Sequence, residues 1–148
     1  MEIEHHRTLA RPPERVWQAL NDPDVLCACA PGCESVERLQ PDYFVAHLRA
    51  RAGPIQARVE GTIRIVDPEP PSQYTLAFAA SGRAFGQAEG RTYVQIHEAG
   101  SGSRIAYRVA VTVTGRVARM GQSVINRVAM RLMDRFFDRL DERLRGEA

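Results

Sequence analysis

Apolar residues recur at every second position as far as Val113, and at every third or fourth position after Gly115. Phe44, Ala46, Leu48, Ala50 and Ala52 share one parity, with His47, Arg49 and Arg51 between them. Ile55, Ala57, Val59, Gly61, Ile63 and Ile65 repeat the pattern. So do Tyr74, Leu76, Phe78 and Ala80, then the run from Ala84 to Ile96, then Ile105, Tyr107, Val109, Val111 and Val113. Turn residues separate these runs at Gly53-Pro54, at Asp67-Pro68-Glu69-Pro70-Pro71-Ser72 and from Ala99 to Ser103. Alternation broken by turns predicts antiparallel strands with one solvated face. No proline interrupts residues 116–145, where Val117, Met120, Val124, Val128, Leu132, Phe136, Leu140 and Leu144 mark one stripe. That stripe predicts a single amphipathic helix, about 45 Å long at 1.5 Å per residue. A sheet with one apolar face must bury it, and the last helix is the only element long enough to cover it.

Residues 2–9 have the composition of a short strand. Pro12-Pro13 then opens a helix, because proline is tolerated in a first helical turn. Asp22 caps a second helix that starts at Pro23 and stops before Pro31-Gly32. The predicted class is α+β: a curved antiparallel sheet of about seven strands wrapped around a long C-terminal helix, with two short helices after strand 1. With 148 residues the chain is long enough for one domain, residues 1–148, and too short for two with a cleft between them.

Charge and composition exclude several functions. The net charge is +2 and every one of the 20 basic residues is arginine. Without lysine there is neither Schiff-base chemistry nor a phosphate-binding P-loop. A balance this close to zero predicts no nucleic-acid partner. The segment Met1–Arg7 has no apolar export signal, and no run of apolar residues is long enough to cross a membrane. The expected location is the cytoplasm.

The predicted inner face is rich in small residues: Ala46, Ala50, Ala57, Gly61, Ala80, Ala84, Gly86, Ala88 and Gly90. Such a face means either close approach of the helix or a space left open. The run from Ala84 to Gly90 favours an apolar cavity, the usual form of a small-molecule site. Leu48, Val59, Tyr74, Leu76, Phe78, Tyr107 and Val109 on the sheet, with Met120, Val124 and Val128 on the helix, are the expected lining. Buried tyrosines need hydrogen-bond partners, so Tyr74 and Tyr107 could supply the cavity's polar points, with a ligand carbonyl as the natural partner.

Other clusters have plainer explanations. Cys27, Cys29 and Cys33 lack the paired spacing and second cluster of a zinc site, and fit small buried hydrophobes. His5 and His6 are adjacent on a strand and point to opposite faces. His5 and Arg7 share the inner parity, but the end of an edge strand is commonly solvated. No carboxylates are forced together on the inner face, so no catalytic residues, metal or cofactor are predicted. Gly82, Gly86 and Gly90 fit close backbone approach or bulges. Arg127, Arg131, Arg135, Arg139 and Arg143 form a column on the last helix. It either faces anionic lipid or pairs with Asp134, Asp138 and Glu142 at three-residue spacing.

Pro12-Pro13-Glu14-Arg15-Val16-Trp17-Gln18-Ala19-Leu20-Asn21-Asp22-Pro23 and Cys29-Ala30-Pro31-Gly32-Cys33-Glu34-Ser35 resemble the G-subunit family of carbon monoxide dehydrogenase, within the START and birch-pollen-allergen superfamily. Gly53-Pro54-Ile55, Gly61, Asp67-Pro68 and the Gly86–Gly90 strand extend the likeness over essentially the whole chain. The resemblance implies a helix-grip fold, a deep apolar cavity and a non-catalytic carrier of a quinone- or lipid-like molecule. It also implies service to a molybdenum-containing CO dehydrogenase and peripheral contact with the inner membrane face. Members linked to membrane attachment carry a long tail after the last helix, where this chain reads Gly146-Glu147-Ala148; ligand binding is the property carried over. Related folds include cyclase/aromatase and hydrolase enzymes, which need two titratable groups inside the cavity. A purely structural adaptor, docking through Phe136, Phe137 and the arginine column, needs a filled core.

Overall fold

The computed structural model describes residues 2–52 and 54–147. Gly53 of the expected Gly53-Pro54 turn, Ala148, and the side chains of Ala52 and Ile55 lie outside the described residues. The chain runs from β1 (Glu2–Leu9) through α1 (Pro13–Leu20) and α2 (Pro23–Cys29) into a series of strands. These are β2 (Cys33–Gln40), β3 (Tyr43–Ala52), β4 (Ile55–Glu69), β5 (Gln73–Gly82), β6 (Gly86–Ala99) and β7 (Gly102–Thr114). A 3-10 turn (Gly115–Met120) precedes the final helix, α3 (Gln122–Arg145). The seven strands form one sheet in the order β1-β7-β6-β5-β4-β3-β2, antiparallel throughout. This is the helix-grip arrangement.

Local chemistry explains the boundaries. Pro12 and Pro13 start α1, where a missing N–H costs nothing. The Asp22 carboxylate accepts from the Asp24 N–H at 2.9 Å and caps α2, with Pro23 in its first turn. Three boundaries differ from expectation. The long helix starts at Gln122, because Gly121 has φ of 87° and breaks it from the preceding 3-10 turn. Its 24 residues span about 36 Å. β4 continues through Asp67-Pro68 to Glu69 across a register shift, where Asp67 has φ of 49°. Ala84 sits in the β5–β6 turn and not on a strand face.

The register sorts the inner face into rows. One row is Ala46, Gly61, Ala80, Ala88 and Val113. A second carries Ile65, Leu76, Thr92 and Val109, and a third Tyr74, Val94, Tyr107 and His5. The glycines in this sheet mark strand-to-strand contact more than open space. A Cβ on Gly90 would stand 2.0 Å from the Ala110 carbonyl oxygen, and on Gly82 2.4 Å from that of Arg58. Gly86 has φ of 102° and no room for a Cβ either. Here backbone lies where side chains would be.

The core is concentrated at one end of the helix. Phe137, Leu140 and Leu144 of α3 are buried with Leu9, Val16, Leu20, Cys29, Ile96 and Ile105. From Gln122 to Phe136 no α3 residue is buried. The α3 carboxylates do not take the partners their spacing suggested. Asp138 accepts from Arg7 of β1 at 2.6 Å, Asp134 lies 3.9 Å from the same guanidinium, and Asp141 pairs with Arg145. Among the described residues no ion pair joins them to Arg131, Arg135 or Arg139.

Gly90→Ala should therefore lower stability by about 2–3 kcal/mol, because backbone must move to admit the methyl. Gly61→Ala places its Cβ 3.6 Å from Leu48 Cδ1, an ordinary contact, and should be close to neutral. Urea unfolding of the two variants checks the difference; equal destabilisation would refute the close-approach account.

Candidate functional site

Between the sheet and α3 lies a cavity of about 160 Å³. Its walls come from most of the fold: Leu20 and Leu26 of the short helices, Phe44, Ile63 and Ile65 of β3 and β4, and Tyr74 and Leu76 of β5. Thr92 and Val94 of β6, Ile105, Tyr107 and Val109 of β7, and Met133, Phe136 and Phe137 of α3 complete it. The lining is almost wholly apolar. An apolar cavity of about 150 Å³ stays dry and accepts a benzene-sized guest, so this one is matched to a single ring.

Two tyrosines interrupt the apolar wall. Tyr74 packs edge-on to Trp17, with ring centroids 5.0 Å apart. Tyr107 stacks on Phe137 at 5.0 Å and meets His5 edge-on at 6.1 Å. The Tyr107 hydroxyl is buried without a hydrogen-bond partner among the described residues. Burial, and then the nearby charge of Asp134, push it up to about 12 against the opposing pull of Arg7. Burial also raises Tyr74. Both are neutral at ordinary pH, and the Tyr107 O–H is free to donate. Arg7 is tied to Asp138 and holds its guanidinium carbon 6.0 Å from the Phe137 ring centroid.

Of the expected lining, Tyr74, Leu76, Tyr107 and Val109 reach the cavity. Leu48 and Val59 lie further along the inner face, beyond the Phe44–Ile63 pair, and Phe78 continues that pair's row on β5 without reaching the cavity. Met120 falls in the 3-10 turn, and Val124 and Val128 in the first turns of α3; all three are half-buried. The expectation follows the small residues, but Gly82, Gly86 and Gly90 are small to admit backbone. Phe44, Ile63, Ile65, Thr92, Val94 and Ile105 are legible as inner-face residues by parity, but none carries the small-residue signal. Leu26 carries no periodic signal, because α2 is too short to show one.

A larger depression of about 800 Å³ is lined mostly by outward residues such as Glu4, His6, Thr75, Tyr93, Gln95, Arg104 and Arg108, and also by His5, Tyr74, Val94 and Tyr107 of the third inner row. It is polar and open to solvent. His47 and His97 are also exposed, on the outward parity. Cys29 is buried, whereas Cys27 and Cys33 are half-exposed. Among the described residues no three His, Cys, Asp or Glu side chains gather to hold a metal ion. No helix among them is long and apolar enough to cross a membrane.

The fold recurs in solved structures. A conserved protein from Geobacillus kaustophilus superposes with a TM-score of 0.92 at 25% identity, covering 97% of this chain and 95% of that one. A START superfamily protein from Mycobacterium smegmatis gives 0.72 at 11% identity, covering 97% of each chain. The allergen Ara h 8.0201 gives 0.68 at 15% identity, covering 99% of each. The latter two share the fold alone. No curated protein matches the sequence. The family pattern of the carbon monoxide dehydrogenase G-subunit, CoxG, matches residues 7–145, nearly the whole chain. The chain belongs to the CoxG family, the G-subunit family of carbon monoxide dehydrogenase.

Proposed function

We propose that residues 1–148 act as one non-catalytic binding or carrier domain for a hydrophobic molecule with a carbonyl-bearing ring, a quinone above all. The observation that carries this reading is the unpartnered Tyr107 hydroxyl in an otherwise apolar, ring-sized cavity. A ring fills the cavity, and its carbonyl accepts from Tyr107. An isoprenoid tail has no room inside. It leaves along the half-buried strip where Leu48, Phe78, Met120, Val124 and Val128 face the loosely packed start of α3.

An acid–base enzyme of the cyclase or hydrolase type needs two titratable groups working together. The titratable side chains in this lining are Tyr74 and Tyr107, on strands separated by β6. Two strand spacings put their backbones about 9.5 Å apart. Direct proton transfer between them is not supported, and binding is the better reading. Family membership makes a molybdenum-containing CO dehydrogenase-type enzyme the proposed partner. The exposed arginines of α3, free of the carboxylates expected to neutralise them, support peripheral contact with an anionic membrane at the cytoplasmic face.

Trp17 is the chain's single tryptophan, and it touches Tyr74 on the cavity wall. Titration with 1,4-naphthoquinone should quench its fluorescence saturably. A linear, non-saturating response would overturn the carrier reading. Native mass spectrometry of protein from its own host, followed by solvent extraction, should release a quinone or related lipid.

Tyr107→Phe separates ligand binding from folding. Removing a buried hydroxyl that has no partner should leave stability unchanged or raise it by about 1 kcal/mol. The same change should weaken the naphthoquinone by about fivefold to tenfold, the loss of one hydrogen bond. Reduced stability with unchanged affinity would assign the hydroxyl a structural role instead.

A further inference from the structure

Two buried side-chain polar atoms among the described residues have no hydrogen-bond partner: the Tyr107 hydroxyl and the Asn126 side-chain carbonyl oxygen, Oδ1. The first belongs to the cavity. The second has no part in the ring site, and its place is costly on two counts. Asparagine is a poor residue for a helix interior, and Asn126 stands in the second turn of α3. Its Oδ1 is also removed from water with nothing to replace the lost hydrogen bond. The helical period gives the side on which it lies. Asn126, Met133, Phe137, Leu140 and Leu144 follow one another at separations of seven, four, three and four residues, which keeps them on one face. Phe137, Leu140 and Leu144 are buried in the core, and Met133 lines the cavity. Asn126 therefore continues the inward stripe two turns beyond Met133. Ala129 and Met130, both half-buried, fill the interval. One offers only a methyl group and the other an adaptable chain, so this stretch of α3 can yield to a guest.

We propose that Asn126 is a second recognition point, where Oδ1 accepts a hydrogen bond from a hydroxyl on the ligand's chain. This rests on the carrier reading above and narrows it: the guest is a carbonyl-bearing ring with a hydroxylated chain, not a plain hydrocarbon one. At 1.5 Å per residue, Asn126 stands about 10 Å along the helix axis from Met133 and about 16 Å from Phe137. Tyr107 stacks on Phe137, so the second figure also sets the span between the two polar points. They are complementary as well as separate, because Tyr107 donates and Asn126 accepts. A neutral hydroxyl suits the site better than an ammonium. The titratable groups among the described cavity residues are tyrosines, and no carboxylate lines the cavity to hold a positive charge. A hydroxyl also pairs with either end of an amide. A plain chain running past Asn126 leaves Oδ1 as it is in the free protein, buried and unpaired, and gains nothing from it.

The test compares three probes by quenching of Trp17: 1,4-naphthoquinone itself, and two derivatives whose saturated chain at C2, about 16 Å long when extended, ends in a methyl or in a hydroxyl. The wild-type chain should bind the hydroxyl-ended probe about fivefold to tenfold more tightly than the methyl-ended one, the gain of one hydrogen bond. Asn126→Leu should remove that preference while leaving the affinity for naphthoquinone unchanged, and its urea midpoint should stay the same or rise. Should leucine overpack the helix against the sheet and prevent folding, Asn126→Ala carries the same comparison without added bulk. Equal affinity for the two chains in the wild-type protein, or a preference that survives both substitutions, would overturn the proposal. A lowered urea midpoint with the preference intact would make Asn126 a structural residue and overturn it too. Saturable binding of naphthoquinone with no effect of the chain hydroxyl would sink this inference and spare the carrier reading. Failure to bind all three probes would sink both.

Discussion

The fold hangs on the docking of the last turns of α3 against the corner between β1 and α1. Phe137, Leu140 and Leu144 enter the core there, beside Leu9 and Val16. Polar contacts fix the same corner. Arg11 Nε donates to the Leu144 carbonyl at 2.7 Å, and Asp141 accepts from the Ala10 N–H at 3.1 Å. Arg15 grips both oxygens of Glu147, whose carboxyl this contact holds below its usual range. Ser103, fully buried, donates to the Arg11 carbonyl at 2.6 Å. Burying three large apolar side chains is worth several kcal/mol, at about 1.5–3 each; the partly exposed ion pairs add geometry more than energy. The first and last strands pair over the whole length of β1, so this corner also closes the sheet.

Fixing one end of a helix leaves the other free to stand away from the sheet. From Gln122 to Phe136 the side chains of α3 are half-buried or exposed. Gly121 uncouples it from β7, because the 3-10 turn and the helix meet at a residue with φ of 87°. The helix thus leans on the sheet like a lever pinned at its C-terminal end. The cavity forms beside the pin, where Met133, Phe136 and Phe137 bridge to β5 and β7 without filling the space between them. A larger ligand is accommodated most cheaply at the unpinned end, where few buried contacts have to break.

The architecture was legible because its signals are periodic. Alternation placed β3 to β7, though not β2, and a change of period placed the helix. Asp22-Pro23 marked the start of α2 through its capping chemistry. The cavity was less legible because the same residue type answers two different demands. Glycine in a strand signals missing side-chain volume, and the sequence does not say whether backbone or empty space takes that volume. At Gly82, Gly86 and Gly90 it is backbone. The position of the cavity depends on which end of α3 is pinned. That depends on contacts between residues more than a hundred apart, such as Arg7 with Asp138 and Arg15 with Glu147. The arginine column failed as an ion-pair ladder for the same reason: Arg7 draws Asp134 and Asp138 across to β1.

On the proposed carrier reading, the Tyr107 hydroxyl is the source of the cavity's selectivity. A buried hydroxyl without a partner costs about 1–3 kcal/mol. A guest with a carbonyl at the right edge recovers that cost on binding, and a hydrocarbon of the same shape does not. The cavity therefore discriminates by a defect in its own free state, while its apolar walls supply affinity without regard to identity. That division suits a carrier. On that reading binding rests on burial, and release requires no chemistry. An enzyme of the acid–base type in the same fold would need two titratable groups acting together, and the titratable side chains in this lining, Tyr74 and Tyr107, stand on strands separated by β6.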